Sequence, residues 1–336
     1  MQHSLIPACY FPSTVLFIDD SRNFLLNFVL QLDEWLAYRV FDSPFNALDH
    51  IHKKHCELAT FSQRCLDKFT DLKKYTTRQQ VNTLLHSEIY NPHRFSEISV
   101  IVVDYAMSEI DGLEFCHKIS HTPIKKILLT SKSDEQAARA AFNAGLIDCY
   151  IPKKDPNVAD LITHSINELQ RQYFQGMAKS IFHELSLTPP ACLQDKKFIT
   201  FFKQLCDEKG IVEFYLTDNT GSFLLLDQDA QISFLIVKSD EERMVYLELA
   251  RRYGASNELI NQLSKGEKIP AVTQLADSSN QDWLTSLLPA NQLTANNTYW
   301  YSYSDELLLD INKEELLSYH HHLEEIDAEE LLLLSS

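Results

Sequence analysis

The sequence has little glycine and no closely spaced cysteine pairs, and both features exclude classes of protein. Among 336 residues there are only 7 glycines and 11 prolines, too few for a collagen-like or low-complexity chain. The 7 cysteines are scattered and form no CxxC pair, so we expect reduced thiols rather than a disulfide framework. No apolar run reaches the roughly 18 residues that span a bilayer, and residues 1–10 lack the features of a signal peptide. We therefore expect a cytoplasmic protein that does not enter membranes.

Positive charge is also scarce, which bears on nucleic-acid binding. The formal net charge is −17, and residues 305–336 hold ten acidic residues against one lysine. Binding to nucleic acid depends on neutralising phosphates with Lys and Arg, so the charge argues against DNA as a partner. The sequence contains no clear helix-turn-helix, P-loop, GxSxG, GGDEF-like or EAL-like pattern, which also argues against an enzyme.

Five apolar stretches indicate strands, and four of them end in polar side chains. The stretches are Ser13–Ser21, Tyr38–Phe41, Val100–Asp104, Ile127–Thr130 and Cys149–Lys153. Because helical patterns separate them, they predict a parallel sheet with helices on both faces. Ligands bind at the carboxyl ends of such strands, so the polar end residues should converge on one site: Asp19, Asp20, Asp104, Thr130 and Lys153. Any one of these residues alone would suit an ordinary loop facing water.

Four motifs resemble those of the response-regulator receiver domain of two-component signalling. They are Phe17–Ser21 (FIDDS), Val102–Gly112 (VVDYAMSEIDG), Leu128–Ser131 (LLTS) and Tyr150–Lys153 (YIPK). The resemblance covers about residues 13–155, less one insertion. It implies a flavodoxin-like, doubly wound α/β fold whose five parallel strands follow the order 2-1-3-4-5.

The resemblance also implies a phosphoacceptor and a metal site. Asp104 is expected to accept a phosphoryl group from a sensor histidine kinase. Asp19 and Asp20 are expected to hold Mg²⁺ together with Asp104 and the backbone carbonyl of Ala106. Carboxylates suit this role because Mg²⁺ prefers oxygen ligands and lowers the repulsion between an aspartate and a phosphoryl group.

Further roles follow from the same resemblance. Thr130 is the expected switch hydroxyl, Tyr150 the switch aromatic, and Lys153 the cation that binds the phosphoryl group. Ser108 stands where the family often has proline, and we expect this only to loosen its loop. Lys154 replaces the usual proline after the lysine, but the three-residue spacing from the tyrosine favours Lys153.

The predicted domain organisation is that of a receiver with an insertion and a second domain. We expect a receiver domain over 10–155, a connecting helix over 156–190, an α+β output domain over 191–305 and an acidic helical tail over 306–336. The insertion at about 53–97 should form two short helices that bind a kinase or a second subunit. Their apolar positions are Phe61, Leu66, Phe69, Leu72, Tyr75, Val81, Leu84 and Leu85.

The connecting helix carries an apolar stripe at helical spacing. Its members are Val158, Ile162, Ile166, Leu169, Tyr173, Met177, Ile181 and Leu185. Half of the stripe should pack on the receiver, and the remainder should form a signalling helix or a dimer seam. Gly176 weakens the helix by about 1 kcal/mol relative to alanine, so a break there would not be surprising.

The output region shows the pattern of an antiparallel sheet. Strands are predicted at Glu213–Asp218, Ser222–Gln228, Ile232–Ser239, Lys268–Thr273 and Thr298–Tyr303, with a capping box at Ser239–Glu242 and a helix over Ser256–Gly266. We favour a non-catalytic output without a helix-turn-helix, acting by dimerisation or on a downstream protein partner. A DNA-binding regulator and a nucleotide-binding or enzymatic output remain the alternatives.

The whole layout resembles the Lqs-type quorum-sensing response regulators. The features they share are an inserted receiver, a long connecting helix and an unclassified output domain. The resemblance implies that the input is a small diffusible signal read by membrane sensor kinases. Independently of it, the apolar stripe of the connecting helix predicts a homodimer that phosphorylation favours.

Overall fold

The computed structural model describes residues 5–57, 61, 63–64, 88–184, 188–218, 220–271, 284, 286–306, 309 and 311–334. The described strands are β1 (Cys9–Tyr10), β2 (Thr14–Ile18), β3 (Tyr38–Phe41), β4 (Ile98–Asp104), β5 (Lys125–Thr130), β6 (Cys149–Pro152), β7 (Ile211–Leu216), β8 (Phe223–Asp227), β9 (Ile232–Ser239), β10 (Lys268–Pro270), β11 (Leu287–Pro289), β12 (Asn291–Thr294) and β13 (Thr298–Ser304). The described helices are α1 (Arg22–Val29), α2 (Pro44–Glu57), α3 (Gly112–Lys118), α4 (Glu135–Asn143), α5 (Val158–Glu184), α6 (Lys196–Lys209), α7 (Asp240–Arg252), α8 (Asn257–Lys265) and α9 (Tyr319–Leu334).

The chain divides into two compact units. One comprises residues 12–67, 92–180 and 322–336 and contains a parallel sheet; the other comprises residues 1–11, 68–91 and 181–321 and contains an antiparallel sheet. No described helix is both long enough and apolar enough to cross a membrane.

The parallel sheet has the order β3-β2-β4-β5-β6, and every neighbouring pair in it is parallel. Its central strands are apolar on both faces because helices cover both sides. Side chains of α2, α3 and α4 pack with Leu16, Ile101 and Leu128 on one face. Side chains of α1 and α5 pack with Phe17 and Val102 on the other. The structure therefore contains the five-stranded parallel sheet that the sequence predicts, and its strand carboxyl ends lie along one edge.

The connecting helix is continuous, and most of its apolar stripe is covered. Helix α5 runs through Gly176 without a break, where nothing lies near enough to an added side chain to restrict it. The stripe is also buried within a single chain, so it does not offer the free dimer seam expected from the sequence. The buried members are Ile162, Ile166, Leu169, Tyr173, Met177 and Ile181. Leu185 lies outside the described residues.

Most of the insertion also lies outside the described residues. Of its predicted apolar positions, Phe61 is described and fully buried, and the rest are not described: Leu66, Phe69, Leu72, Tyr75, Val81, Leu84 and Leu85. The Phe61 backbone N–H donates to the Glu97 carboxylate, which also accepts a hydrogen bond of 2.6 Å from the Tyr173 hydroxyl. The start of the insertion is therefore joined to the connecting helix through one buried carboxylate.

The second unit contains a six-stranded antiparallel sheet in the order β1-β7-β8-β9-β13-β12. The predicted capping box at Ser239 and Glu242 opens α7, and Gly266 ends α8 in the left-handed conformation. The strand predicted over Lys268–Thr273 is described only as β10, which pairs with β11 in a separate two-stranded sheet; 272–273 lie outside the described residues. Within the predicted helical tail 306–336, the described residues form a short 3₁₀ helix at Lys313–Glu315 and then the α-helix α9, which begins at Tyr319.

Candidate acidic site at the strand ends

Three aspartates meet at the carboxyl edge of the parallel sheet. Asp19 and Asp20 follow β2 directly, and Asp104 is the last residue of the neighbouring strand β4. One oxygen from each carboxylate lies within 4.8 Å of the other two. Asp19 and Asp104 are buried, whereas Asp20 is exposed, so the group opens to solvent on one side.

Lys153 supplies the positive charge at this site. It follows β6, and its backbone N–H donates to the Thr130 carbonyl at 2.9 Å. Its Nζ lies 2.5 Å from Asp19 Oδ2 and 3.1 Å from Asp104 Oδ2. The ring of Phe24 completes the surroundings, with its centroid 4.3 Å from the same Nζ.

Two loop N–H groups orient the paired aspartates. The Ser21 N–H donates to Asp19 Oδ1 at 2.9 Å, and the Ser108 N–H donates to Asp20 Oδ2 at 2.7 Å. The expectation that Ser108 only loosens its loop is therefore wrong. Since proline has no N–H, the serine at this position allows a hydrogen bond that a proline would remove.

The backbone around Asp104 leaves no room for a side chain at Gly112. A Cβ at Gly112 would lie 2.4 Å from the Asp104 carbonyl oxygen and 2.8 Å from Leu128 Cδ1. The Gly112 N–H also donates to the Tyr105 carbonyl at 3.0 Å. Gly112 therefore lets the loop after β4 fold back closely against the strand end.

The electrostatics of the cluster fit a divalent cation. Burial, and after it the negative charge of Asp19, raise the pKa of Asp104, although Lys153 acts in the opposite direction. Three carboxylates near one lysine leave an excess of negative charge on hard oxygen ligands. Mg²⁺ and similar cations favour such ligands, so the residues present suit a metal of this class.

Comparisons with known proteins identify the family. The response regulator receiver domain family matches residues 72–164. The solved structure of the Legionella pneumophila response regulator LqsR is 54% identical to this chain, with a TM-score of 0.85, and the match covers 98% of this chain and 99% of that one. The chain belongs to the response-regulator family. Its likeness to LqsR includes both units.

A curated relative matches the response regulator over a smaller part. The cyclic di-GMP phosphodiesterase response regulator RpfG of Xanthomonas campestris pv. campestris is 32% identical over 79 residues, which make up 22% of this chain and 21% of RpfG. The match thus spans about a fifth of that relative's length.

The remaining predicted site residues of the response regulator lie on strands β5 and β6 and in the loop after β4. Thr130 is buried, and its hydroxyl donates to the Ile151 carbonyl at the long distance of 3.5 Å. Tyr150 is half-buried, and its ring meets Phe142 edge-on with centroids 6.1 Å apart. Ala106 is exposed in the loop after β4. Their roles stay predictions.

Sequence reasoning missed two contributors to the site, Phe24 and the N–H of Ser108. Phe24 gives no sequence signal for this role, because a helical pattern of apolar residues does not show which ring lies against a lysine from a distant strand. The Ser108 N–H gives no sequence signal, since any residue except proline provides one.

Proposed function

We propose that this response regulator is a phosphorylation-dependent signalling switch in which Asp104 accepts a phosphoryl group from a sensor histidine kinase. The observation that carries the proposal is a buried carboxylate at a strand end, 3.1 Å from a lysine and clustered with two further carboxylates. Such a cluster provides a nucleophile, a cation for a phosphoryl oxygen and oxygen ligands for a metal.

The proposed chemistry is an in-line displacement at phosphorus. An oxygen of Asp104 forms the new P–O bond, and the P–N bond of a phosphohistidine breaks, leaving its electron pair on the imidazole. Lys153, already in contact with Asp104, would bind an oxygen of the transferred group. Mg²⁺ held by Asp19, Asp20, Asp104 and the Ala106 carbonyl would lower the repulsion between the two anionic reactants.

The proposed switch uses Thr130 and Tyr150. The bond from the Thr130 hydroxyl to Ile151 is long, so a charged phosphoryl oxygen would be a stronger acceptor for that hydroxyl. Movement of Thr130 toward Asp104 would open space for the Tyr150 ring beside it. The contact of Tyr150 with Phe142 would carry the change to α4.

The test of this function is labelling by a small phosphodonor. Incubation with acetyl phosphate and Mg²⁺ should add one phosphoryl group, seen by intact-mass spectrometry, and Asp104→Asn should remove it. Asp160→Asn is the matched control, because Asp160 is exposed on α5 and outside the cluster. Equal labelling of wild type and Asp104→Asn would show that another residue is the acceptor.

We propose that the output is a protein interaction, beginning with a phosphorylation-dependent homodimer. The buried stripe of α5 leaves other apolar residues for this contact: Phe142 on α4 is 47% exposed and Leu161 on α5 is 40% exposed. Light scattering with and without beryllofluoride should show a shift toward dimer. The shift should be weaker in Phe142→Asp, and an unchanged mass distribution in the wild type would exclude dimerisation as the output.

A further inference from the structure

The ring of Phe24 is an uncharged neighbour of the Lys153 ammonium group. The Lys153 Nζ contacts the carboxylates of Asp19 and Asp104, and it lies 4.3 Å from the ring centroid of Phe24. A ring face attracts an ammonium group through its negative electrostatic potential. A divalent cation such as Mg²⁺ binds carboxylate oxygens, so it would not compete with the lysine for the ring.

The position of the Phe24 ring is fixed from two sides. Its backbone lies in the first turn of α1, where the N–H donates to the Ser21 hydroxyl at 3.4 Å and to the Ser21 carbonyl at 2.9 Å. Its ring stacks on Phe28, with centroids 5.5 Å apart and an angle of 12° between the planes. Phe28 is buried and contacts Phe17 of β2. The core of the unit therefore holds the ring against the lysine.

The contact matters because Asp19 has two competing uses. It is the nearest partner of the Lys153 ammonium group, and it also belongs to the carboxylate cluster that suits a divalent cation. A cation on Asp19 would weaken the ion pair with the lysine. The contacts left to the ammonium group would then be Asp104, whose carboxylate belongs to the same cluster, and the ring of Phe24.

We propose that Phe24 is a positioning residue for phosphoryl transfer, whose ring holds the Lys153 ammonium group beside Asp104 while Asp19 is engaged by the metal. The inference rests on the proposed function of Asp104. It predicts that the electrostatic strength of the ring, and not only its bulk, sets how well the lysine is placed.

Fluorinated phenylalanines separate these two properties, because added fluorine weakens the attraction for a cation with little change of shape. Incorporated at position 24, a series with one, two and three fluorine atoms should lower the rate of labelling by acetyl phosphate stepwise, about threefold to tenfold in total. The same series at position 28 is the matched control, since Phe28 shares the stack but has no contact with the lysine among its described ring contacts. Equal labelling rates for all members of the series at position 24 would overturn the proposal.

A second measurement needs neither metal nor phosphoryl donor. The ε-methylene protons of Lys153 lie near the ring face and should show an upfield NMR shift, assigned with Lys153→Met. Phe24→Leu should abolish the shift and slow labelling, and Phe24→Tyr should preserve both. A Lys153 resonance that is unchanged in Phe24→Leu would contradict the proposal. If wild type is not labelled at all, the proposed function fails, and the NMR shift still decides whether Phe24 holds the lysine.

Discussion

Each unit of this response regulator pairs a lysine with a buried aspartate, and the two pairs differ in their balance of charge. In the antiparallel unit, Lys238 Nζ lies 3.3 Å from Asp218 Oδ2, and the side chains are only 1% and 3% exposed. In the parallel unit, Lys153 lies against Asp104 and Asp19, and the lysine side chain is 23% exposed.

In the antiparallel unit both carboxylate oxygens of Asp218 accept hydrogen bonds. Asp218 Oδ1 accepts backbone N–H groups from Thr220, Gly221 and Ser222 at 2.9, 3.0 and 2.9 Å, and the Thr220 hydroxyl adds a further hydrogen bond. One carboxylate faces one ammonium group. Because Asp218 pairs with Lys238 and also binds the backbone N–H groups of the turn between β7 and β8, we infer that the pair stabilises this turn.

The acidic cluster is arranged in the opposite way. Three carboxylates share the single positive charge of Lys153, and burial together with Asp19 raises the pKa of Asp104. The folded chain keeps this excess charge although it disfavours the ionised form of Asp104. A buried ion pair with equal and opposite charges thus indicates a stabilising role. A cluster with an excess of one charge indicates a site for a ligand of the opposite charge.

Breaking the balanced pair should have the largest effect on stability. Asp218→Ala leaves the Lys238 ammonium group buried without its partner, so we expect the free energy of unfolding to fall by about 3–5 kcal/mol. Urea unfolding measures the loss, and faster hydrogen exchange in β8 and β9 would locate it. Asp207→Ala, at an exposed position on α6, is the control and should change stability by less than about 0.5 kcal/mol. Equal stabilities of the two variants would show that the pair does not hold the turn.

Removing a negative charge from the acidic cluster should raise the free energy of unfolding rather than lower it. The folded-state pKa of Asp104 is raised, so the ionised form destabilises the fold at neutral pH. The free energy of unfolding of Asp104→Asn should therefore be higher than that of wild type at neutral pH in EDTA. The difference should shrink as pH falls below the folded-state pKa and vanish below the unfolded-state pKa, because Asp104 is then neutral in both states of the wild type.

Magnesium provides the control for that comparison. Added Mg²⁺ should stabilise wild type more than Asp104→Asn, because only a ligand that prefers the folded state raises its stability. If Asp104→Asn proves less stable than wild type at neutral pH in EDTA, the cluster would not carry the excess charge described above.

The acidic site was predictable because its residues end strands that the sequence marks clearly. The apolar runs before Asp20 and Asp104 fix two neighbouring strands, and parallel strands bring their carboxyl ends to one edge. The same rule places Lys153 at this edge, because it directly follows β6. The central sheet of the parallel unit follows from these runs as well.

Other parts of the fold depend on pairing that leaves a weak local signal. Strand β1 is two residues long and pairs with Phe214 and Tyr215, far away in the sequence. Strand β12, Asn-Gln-Leu-Thr, has no alternating pattern and is defined by its pairing with β13. Helix α6, by contrast, carries a local signal at both ends: Asp195 caps its start, and Gly210 ends it with φ +63°.

The smallest expected effect tests whether backbone N–H groups orient the acidic cluster as they orient Asp218. Asp218 accepts three of them, whereas the exposed Asp20 accepts one, from Ser108 at 2.7 Å. Ser108→Pro removes this donor, and Ser108→Ala keeps it while removing the hydroxyl. We expect the affinity for Mg²⁺, measured by titration calorimetry, to fall about threefold to tenfold in Ser108→Pro and to stay at the wild-type value in Ser108→Ala. A wild-type affinity in both variants would show that Asp20 is positioned without the N–H. An equal loss of affinity in both variants would assign the effect to the hydroxyl.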